Sequence, residues 1–357
     1  MNIKIKHMKR LSKNLISLLL IVSFVAPYSA FAGNKQRAGS AGGTQLLINP
    51  WARSSAMGYS NAASIRGLEA QFMNVAGTAF TKSTELIFAY TDWLKPADIA
   101  INSFGFSQKV SETGVLSLTV MSINVGDIDI TTTELPEGGI GTFRPVFTNI
   151  GLSYAKVFSN SIYGGLTLRI LNEGISDVKA SGVVLDAGIQ YVTGKNNQMK
   201  FGIAMKNVGP TMKYTGDGMS VRADLESGIN MTMEHRSAEF ELPSLISIAV
   251  SYDFIFNEKN ILTLNGTFIS NSFTKDQICI GLEQNISNLV FIRGGYTYEE
   301  GIFDYDTRET VFTGLSFGAG IQIPISKEKG SVFSLEYAYR DTNPFSGCHT
   351  LQARVSL

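Results

Sequence analysis

Cysteine is nearly absent from this 357-residue chain: Cys279 and Cys348 are the only two. That excludes a disulfide framework, and both are read as incidental small residues. Of the three histidines, only His235 and His349 lie beyond the first thirty-odd residues, and no His/Cys pair has metal-ligand spacing, so neither a metal site nor any cofactor is expected. Charged residues make up only 17% of the chain, against about 25% in ordinary soluble domains. Past the N-terminal stretch no apolar run approaches the roughly 18 residues that a membrane-spanning helix needs. Basic character is also lacking. The 30 Lys and Arg only balance the 30 Asp and Glu, which argues against a nucleic-acid partner.

The first stretch reads as an export signal spanning residues 1–32. Lys4, Lys6, Lys9, Arg10 and Lys13 form a basic region, Leu15 to Ala26 is a short apolar run, and Ala30-Phe31-Ala32 has the small-x-small cleavage pattern. A chain beginning near Gly33 loses five basic residues and no acidic one, so it is mildly acidic.

What the chain does have is alternation. Leu86, Phe88 and Tyr90 alternate with Glu85, Ala89 and Thr91, and only Ile87 breaks the polar or small set. Ile246, Ile248, Val250 and Tyr252 alternate with Ser247, Ala249, Ser251 and Asp253 in the same way. So do Ile278, Ile280 and Leu282 with Gln277, Cys279, Gly281 and Glu283. Leu335, Tyr337 and Tyr339 alternate with Ser334, Glu336, Ala338 and Arg340, and Leu351, Ala353, Val355 and Leu357 with Gln352, Arg354 and Ser356. A period of two places one set on one face of a strand. About fourteen such segments of about ten residues can be placed between Thr84 and Leu357, each the length that crosses a hydrocarbon layer when tilted.

The links decide between a soluble sandwich and a barrel. Every second link is short: Val110–Thr113, Ser159–Ser161, Thr193–Met199, Asn257–Asn260, Asn285–Asn288 and Pro324–Gly330. The others include the long ones, Gly126–Val146, Gly174–Gly182, Gly209–Ser244 and Glu299–Val311, with Leu94–Asp98 and Ser270–Lys275 short for their set. Short periplasmic turns and long external loops are the habit of bacterial barrels, and a sandwich has no reason to sort loops by parity. The fold class expected is all-β, an outer-membrane antiparallel barrel over 84–357 facing lipid. The charges Arg169, Asp253, Glu283, Arg293, Glu336, Arg340 and Arg354 must then point into the lumen, since charge facing lipid costs about 2–4 kcal/mol at mid-depth. Whether they form a salt-bridge lattice or an ion or ligand path is open at this point. Residues 33–83 precede the first strand, are rich in small residues and have weak helical periodicity around Ala62 to Val75. Leu46, Trp51, Met57 and Phe72 make them too apolar for a disordered tail, so a plug in the barrel or at its mouth is expected.

Three motifs invite a chemistry that their context denies. Gly314-Leu315-Ser316-Phe317-Gly318 has the spacing of a serine nucleophile, but alternation continues through Ala319, Ile321 and Ile323 where a strand-to-helix turn is required, so no catalysis is expected. Asp127 and Asp129 read as a solvated turn and not a calcium loop. Gly138-Gly139-Ile140-Gly141 is a loop tip with no helix after it to cradle phosphate.

The run Gly39-Ser40-Ala41-Gly42-Gly43-Thr44-Gln45-Leu46-Leu47-Ile48, followed by Ala52-Arg53 and Ala56-Met57-Gly58, resembles the start of mature PorV/PorQ proteins. Glu241-Leu242-Pro243-Ser244 before a strand ending Ser251-Tyr252-Asp253-Phe254, and Gly281-Leu282-Glu283 before Arg293-Gly294-Gly295-Tyr296, extend the resemblance over nearly the whole chain. PorV/PorQ proteins are outer-membrane components of the type IX secretion system of Bacteroidetes, related to FadL-type transporters of hydrophobic compounds. The resemblance implies a fourteen-stranded FadL-like barrel with an N-terminal plug whose partners are translocon subunits or secreted cargo. The chain departs from the family at Asn74-Val75-Ala76-Gly77, where Asn-Pro-Ala-Gly is usual, and at its C-terminal Leu357, where many barrels carry an aromatic residue. The alternative is a FadL-like transporter that takes a hydrophobic molecule from outside and releases it through a lateral gap. A continuous greasy tunnel would favour that alternative, and a lumen closed by charge would favour the secretion role. The long link Gly209–Ser244 is the expected docking surface, through Met212, Tyr214, Met219, Arg222, Met231, Met233 and Phe240, because methionine-rich loops suit adaptable binding. A lid folded over the mouth, or a hairpin at Leu225–Thr232, is the competing reading of the same loop.

Overall fold

The structure, a computed structural model, describes residues 37–224, 228–304, 308–326 and 330–357. The signal-like stretch therefore lies outside the described residues. Fourteen strands close into one antiparallel barrel: β1 (Thr84–Trp93), β2 (Ile99–Lys109), β3 (Gly114–Asn124), β6 (Val146–Val157), β7 (Ile162–Ile175), β8 (Val178–Thr193), β9 (Met199–Val208), β12 (Leu245–Asn257), β13 (Asn260–Asn271), β14 (Gln277–Ile286), β15 (Val290–Glu299), β16 (Phe312–Ser326), β17 (Ser331–Thr342) and β18 (Cys348–Ser356). Each pairs with its chain neighbour, and β1 pairs with β18 from Glu85↔Ser356 to Asp92↔His349, which removes the sheet edge. Two small ribbons lie within links: β4 (Ile128–Asp129) with β5 (Thr142–Phe143), and β10 (Ser220–Asp224) with β11 (Asn230–Glu234).

The faces are inverted relative to a soluble protein. Phe88 on β1 is 63% exposed and its neighbours Ile87 and Ala89 are buried. The outward set continues through Leu152, Leu166, Ile189, Ile203, Ile248, Ile280, Ile292, Ile321 and Leu351, all exposed, and the buried set holds Ser107, Ser117, Thr167, Ser247, Thr267 and Gln352. Exposed apolar side chains around a polar interior are stable only with hydrocarbon outside. An outward groove of about 560 Å³ between Phe88, Tyr90, Ile321, Leu335, Tyr337 and Leu351 lies on this lipid face.

One link differs from the sequence reading. Gly174–Gly182 is not a long loop. β7 and β8 run on to Ile175 and Val178, paired with each other, and only Ser176 and Asp177 turn between them. The stretch reads as a loop because it is small and polar, yet those residues continue both strands past the mouth as a tall hairpin. Ser176 supplies the turn with a φ of 51°.

Residues 44–80 lie inside the barrel. They form a short helix, Ala52–Ala56, and three 3-10 turns, Thr44–Leu47, Leu68–Phe72 and Val75–Phe80. The helical periodicity around Ala62 to Val75 yields only turns, because Gly67 with a φ of 80° and the extended Asn74 interrupt any helix. Trp51 and Phe72 meet edge to face at 6.0 Å and pack with Ile87, Ile101 and Met121, which explains the apolar residue among the small inward set of β1. Wall glycines make room for the segment. A Cβ on Gly295 would lie 2.2 Å from the carbonyl carbon of Met57, one on Gly281 2.2 Å from Ser60 Oγ, and one on Gly188 2.2 Å from Asn74 Oδ1. Asn74 also holds the turn that lacks a proline: its Oδ1 accepts from Ala76 N at 3.2 Å and its Nδ2 donates to Ile189 O at 3.0 Å.

Candidate functional site: the external mouth and the charged floor beneath it

By the loop-length rule, the mouth bearing the links 125–145, 209–244 and 300–311 is external. A cavity of about 370 Å³ opens there inside the barrel. Leu47, Ile48, Phe72, Met73, Trp93, Leu245, Ile269 and Phe312 give it apolar walls. Lys206, Lys275, Glu299, Glu309 and Arg340 add charge around it. Its size and mixed lining are those of a site for one small molecule. Arg340 is held between two rings, 4.3 Å from that of Tyr59 and 3.8 Å from that of Phe312, and donates to Tyr59 Oη at 2.7 Å.

Further along the same strands ion pairs cross the lumen. Glu283 meets Arg53 at 2.7 Å and Arg293 at 2.6 Å, Arg293 meets Glu336 at 3.2 Å, and Glu336 meets Arg354 at 3.5 Å. Glu69 completes the chain, 4.0 Å from Arg354 and hydrogen-bonded by Gln352. Two more pairs stand apart: Arg169 with Asp186 at 2.7 Å, and Lys200 with Asp253 at 2.5 Å. Arg169 also donates to Gln71 O at 2.8 Å and Lys206 to Phe72 O at 2.6 Å, so two cations hold the carbonyl end of the Leu68–Phe72 turn.

Of the inward charges read from the sequence, Glu283, Arg293, Glu336 and Arg354 therefore share one lattice. Arg169 and Asp253 belong to separate pairs, and Arg340 stands at the vestibule. Sequence reasoning missed Asp186 and Lys200, although each sits in the inward phase of its strand, opposite Leu185 and Ile189 or Met199 and Phe201. It also missed Arg53 and Glu69, which come from a segment with no strand period to give their direction.

The link 209–244 is two things at once. Met212 and Leu242 are buried against Leu46, Leu171, Ala180 and Val184, with Tyr214 and Phe240 packed on them. The ribbon β10–β11 stands clear, with Val221, Ile229, Met231 and Met233 exposed, Arg222 exposed on its other face and Met219 half-buried at its base. In the link 125–145, Arg144 pairs with Asp127 at 2.9 Å, and its hydrogen bonds hold that exposed carboxyl below its usual range. Ser316 is buried and its hydroxyl donates to Gly295 O at 3.1 Å, while His349 lies in the outward phase, 2.8 Å from Tyr337 Oη. Cys279 and Cys348 are free and buried.

No protein-family profile and no curated protein sequence matches the chain. Among solved structures, the toluene transporter TbuX of Ralstonia pickettii is similar over 86% of this chain and 97% of its own, at 13% identity and a TM-score of 0.52. The toluene transporter TodX of Pseudomonas putida is similar over 86% and 97%, at 11% identity and a TM-score of 0.53. A FadL homologue of Pseudomonas aeruginosa is similar over 85% and 97%, at 11% identity and a TM-score of 0.50. At such identities the likeness concerns the fold, and the resemblance to PorV/PorQ proteins rests on the sequence motifs alone. The chain is an outer-membrane β-barrel protein with the fourteen-stranded fold of FadL-type barrels.

Proposed function

We propose that this barrel admits small hydrophobic molecules from outside the cell through the external vestibule. The observation that carries the reading is the cavity itself: about 370 Å³, walled by Trp93, Phe312, Leu245, Ile269, Leu47 and Ile48, at the mouth of a barrel whose lumen is crossed by ion pairs further along. A wet pore would pass ions and sugars, and the ion pairs from Arg53 to Glu69 stand across that route. A hydrophobic solute gains from leaving water for the vestibule, at about 25 cal/mol per Å² of apolar surface removed from water. Onward passage needs the inner segment to shift, because Arg53 and Glu69 are part of the floor. The likeness to two toluene transporters supports the reading. Toluene uptake into cells carrying the barrel should fall at least several-fold when Ile269→Trp fills the vestibule, with the heat-modifiable barrel band unchanged. Undiminished uptake by a folded variant would overturn it.

A second reading has its own observation. The charged floor and the exposed apolar face of the β10–β11 ribbon suit a protein that binds others, as the PorV/PorQ resemblance implies. Recovery of a secretion translocon or secreted cargo with the barrel from native membranes, lost on removing the ribbon, would favour it over uptake.

A further inference from the structure

Two stretches of chain remote in sequence pack together at the external mouth. The arm from Arg37 to Leu46 runs beside the base of the long link: Gly42 N donates to Glu241 O at 3.0 Å, and Arg37 pairs with Glu241 at 2.5 Å. The two are pressed close, since a Cβ on Gly42 would lie 2.2 Å from the Phe240 ring. The two limbs of the link are themselves bridged, Met212 N to Phe240 O at 2.9 Å and Phe240 N to Met212 O at 2.8 Å. Both stretches converge on one wall side chain. Glu173, near the top of β7 and 4% exposed, accepts from Gln45 Nε2 of the arm at 2.7 Å and from the hydroxyl of Tyr214.

We propose that the arm and the base of the long link form one composite lid at the side of the vestibule, pinned at Glu173, and that it opens as a single body. Its purpose as a gate rests on the uptake reading, because Thr44 of the arm and Leu47, Ile48 and Asn49, which continue it, line the vestibule directly. Opening the lid therefore widens the cavity from the same side. The pin is durable: burial, then the bond to Glu173, raise the Tyr214 phenol above its ordinary range, so it stays a donor at any physiological pH. The ribbon β10–β11 continues from the lid, and the turn before it also rests on the β7–β8 hairpin, where Lys179 and Thr215 exchange backbone hydrogen bonds and Gly216 and Gly218 lie against Asp177 and Val178.

Hydrogen exchange on the full chain in detergent micelles, with no solute added, tests the coupling. Tyr214→Phe keeps the ring on Phe240 and removes the donor to a carboxylate, a contact worth at least about tenfold in an opening equilibrium. Exchange at Gly42, Leu46 and Ile48 should rise about tenfold together with that at Met212 and Phe240, and β14 to β17 should not change. A rise confined to Met212 and Phe240, or no rise, overturns the proposal. Glu173→Gln must reproduce the joint pattern, so that an assembly defect in one variant leaves the other to decide. Since no solute takes part, failure of the uptake reading would leave this result standing.

Discussion

Adjacent glycines on β15 offer a controlled test of how tightly the inner segment is seated. Gly295 faces the lumen, where a Cβ would meet the Met57 carbonyl carbon at 2.2 Å and its oxygen at 2.4 Å. Met57 cannot easily retreat. Its carbonyl accepts from Ser60 Oγ at 2.7 Å, and the next residue, Gly58, accepts from Thr297 Oγ1 at 2.8 Å. Gly294 faces the lipid, and a Cβ there meets nothing nearer than Ser316 O at 4.0 Å. Gly295→Ala should destabilise by about 1–3 kcal/mol, the cost of overpacking. Gly294→Ala should stay within about 0.5 kcal/mol of the parent. Urea unfolding followed by the heat-modifiable band gives the difference, and trypsin cleavage at Arg53 and Arg66 reports whether the segment has left its seat. Equal unfolding midpoints with equal protection of both arginines would refute the close seating.

Face assignment can be checked with a second pair. Leu282→Arg turns charge into lipid and should impair assembly by about 2–4 kcal/mol, whereas Arg293→Leu leaves Glu283 with Arg53 and Glu336 with Arg354, so assembly should persist with a softened floor. Equal yields of membrane-protected barrel would contradict the assignment. Replacing Ser220 to Glu234 by a short Gly/Ser linker should leave the barrel and lid intact, because loop length costs little closure entropy. Loss of assembly would show that the ribbon is structural.

The strands were legible because each has two faces in opposite solvents, and a period of two follows directly from that. The same logic extends to single residues: Asp186 and Lys200 could have been placed by phase alone. It fails where the period ends. Gly174 to Gly182 has composition without direction, and only pairing between Ile175 and Val178 shows it to be strand. Arg53 and Glu69 come from turns whose orientation is set by contact with the finished wall, so their place in the floor is invisible before folding. Within the long link, Met212 and Met231 look alike in sequence. One is buried because Leu171 and Val184 stand beneath it, and the other is exposed because nothing does.

The seam between β1 and β18, where the first and last strands of the barrel meet, is fastened from within as well as by its ladder. Gln352 reaches Glu69 and also accepts from Ala52 N at 2.9 Å, a contact across 300 positions, while Glu85 accepts from both Leu68 N and Ser356 Oγ. Segments made first thus complete their contacts only with strands made last. Seam closure and the last contacts of the interior are thereby tied together, so a chain truncated before β18 should lose order around Ala52 and Leu68–Glu69.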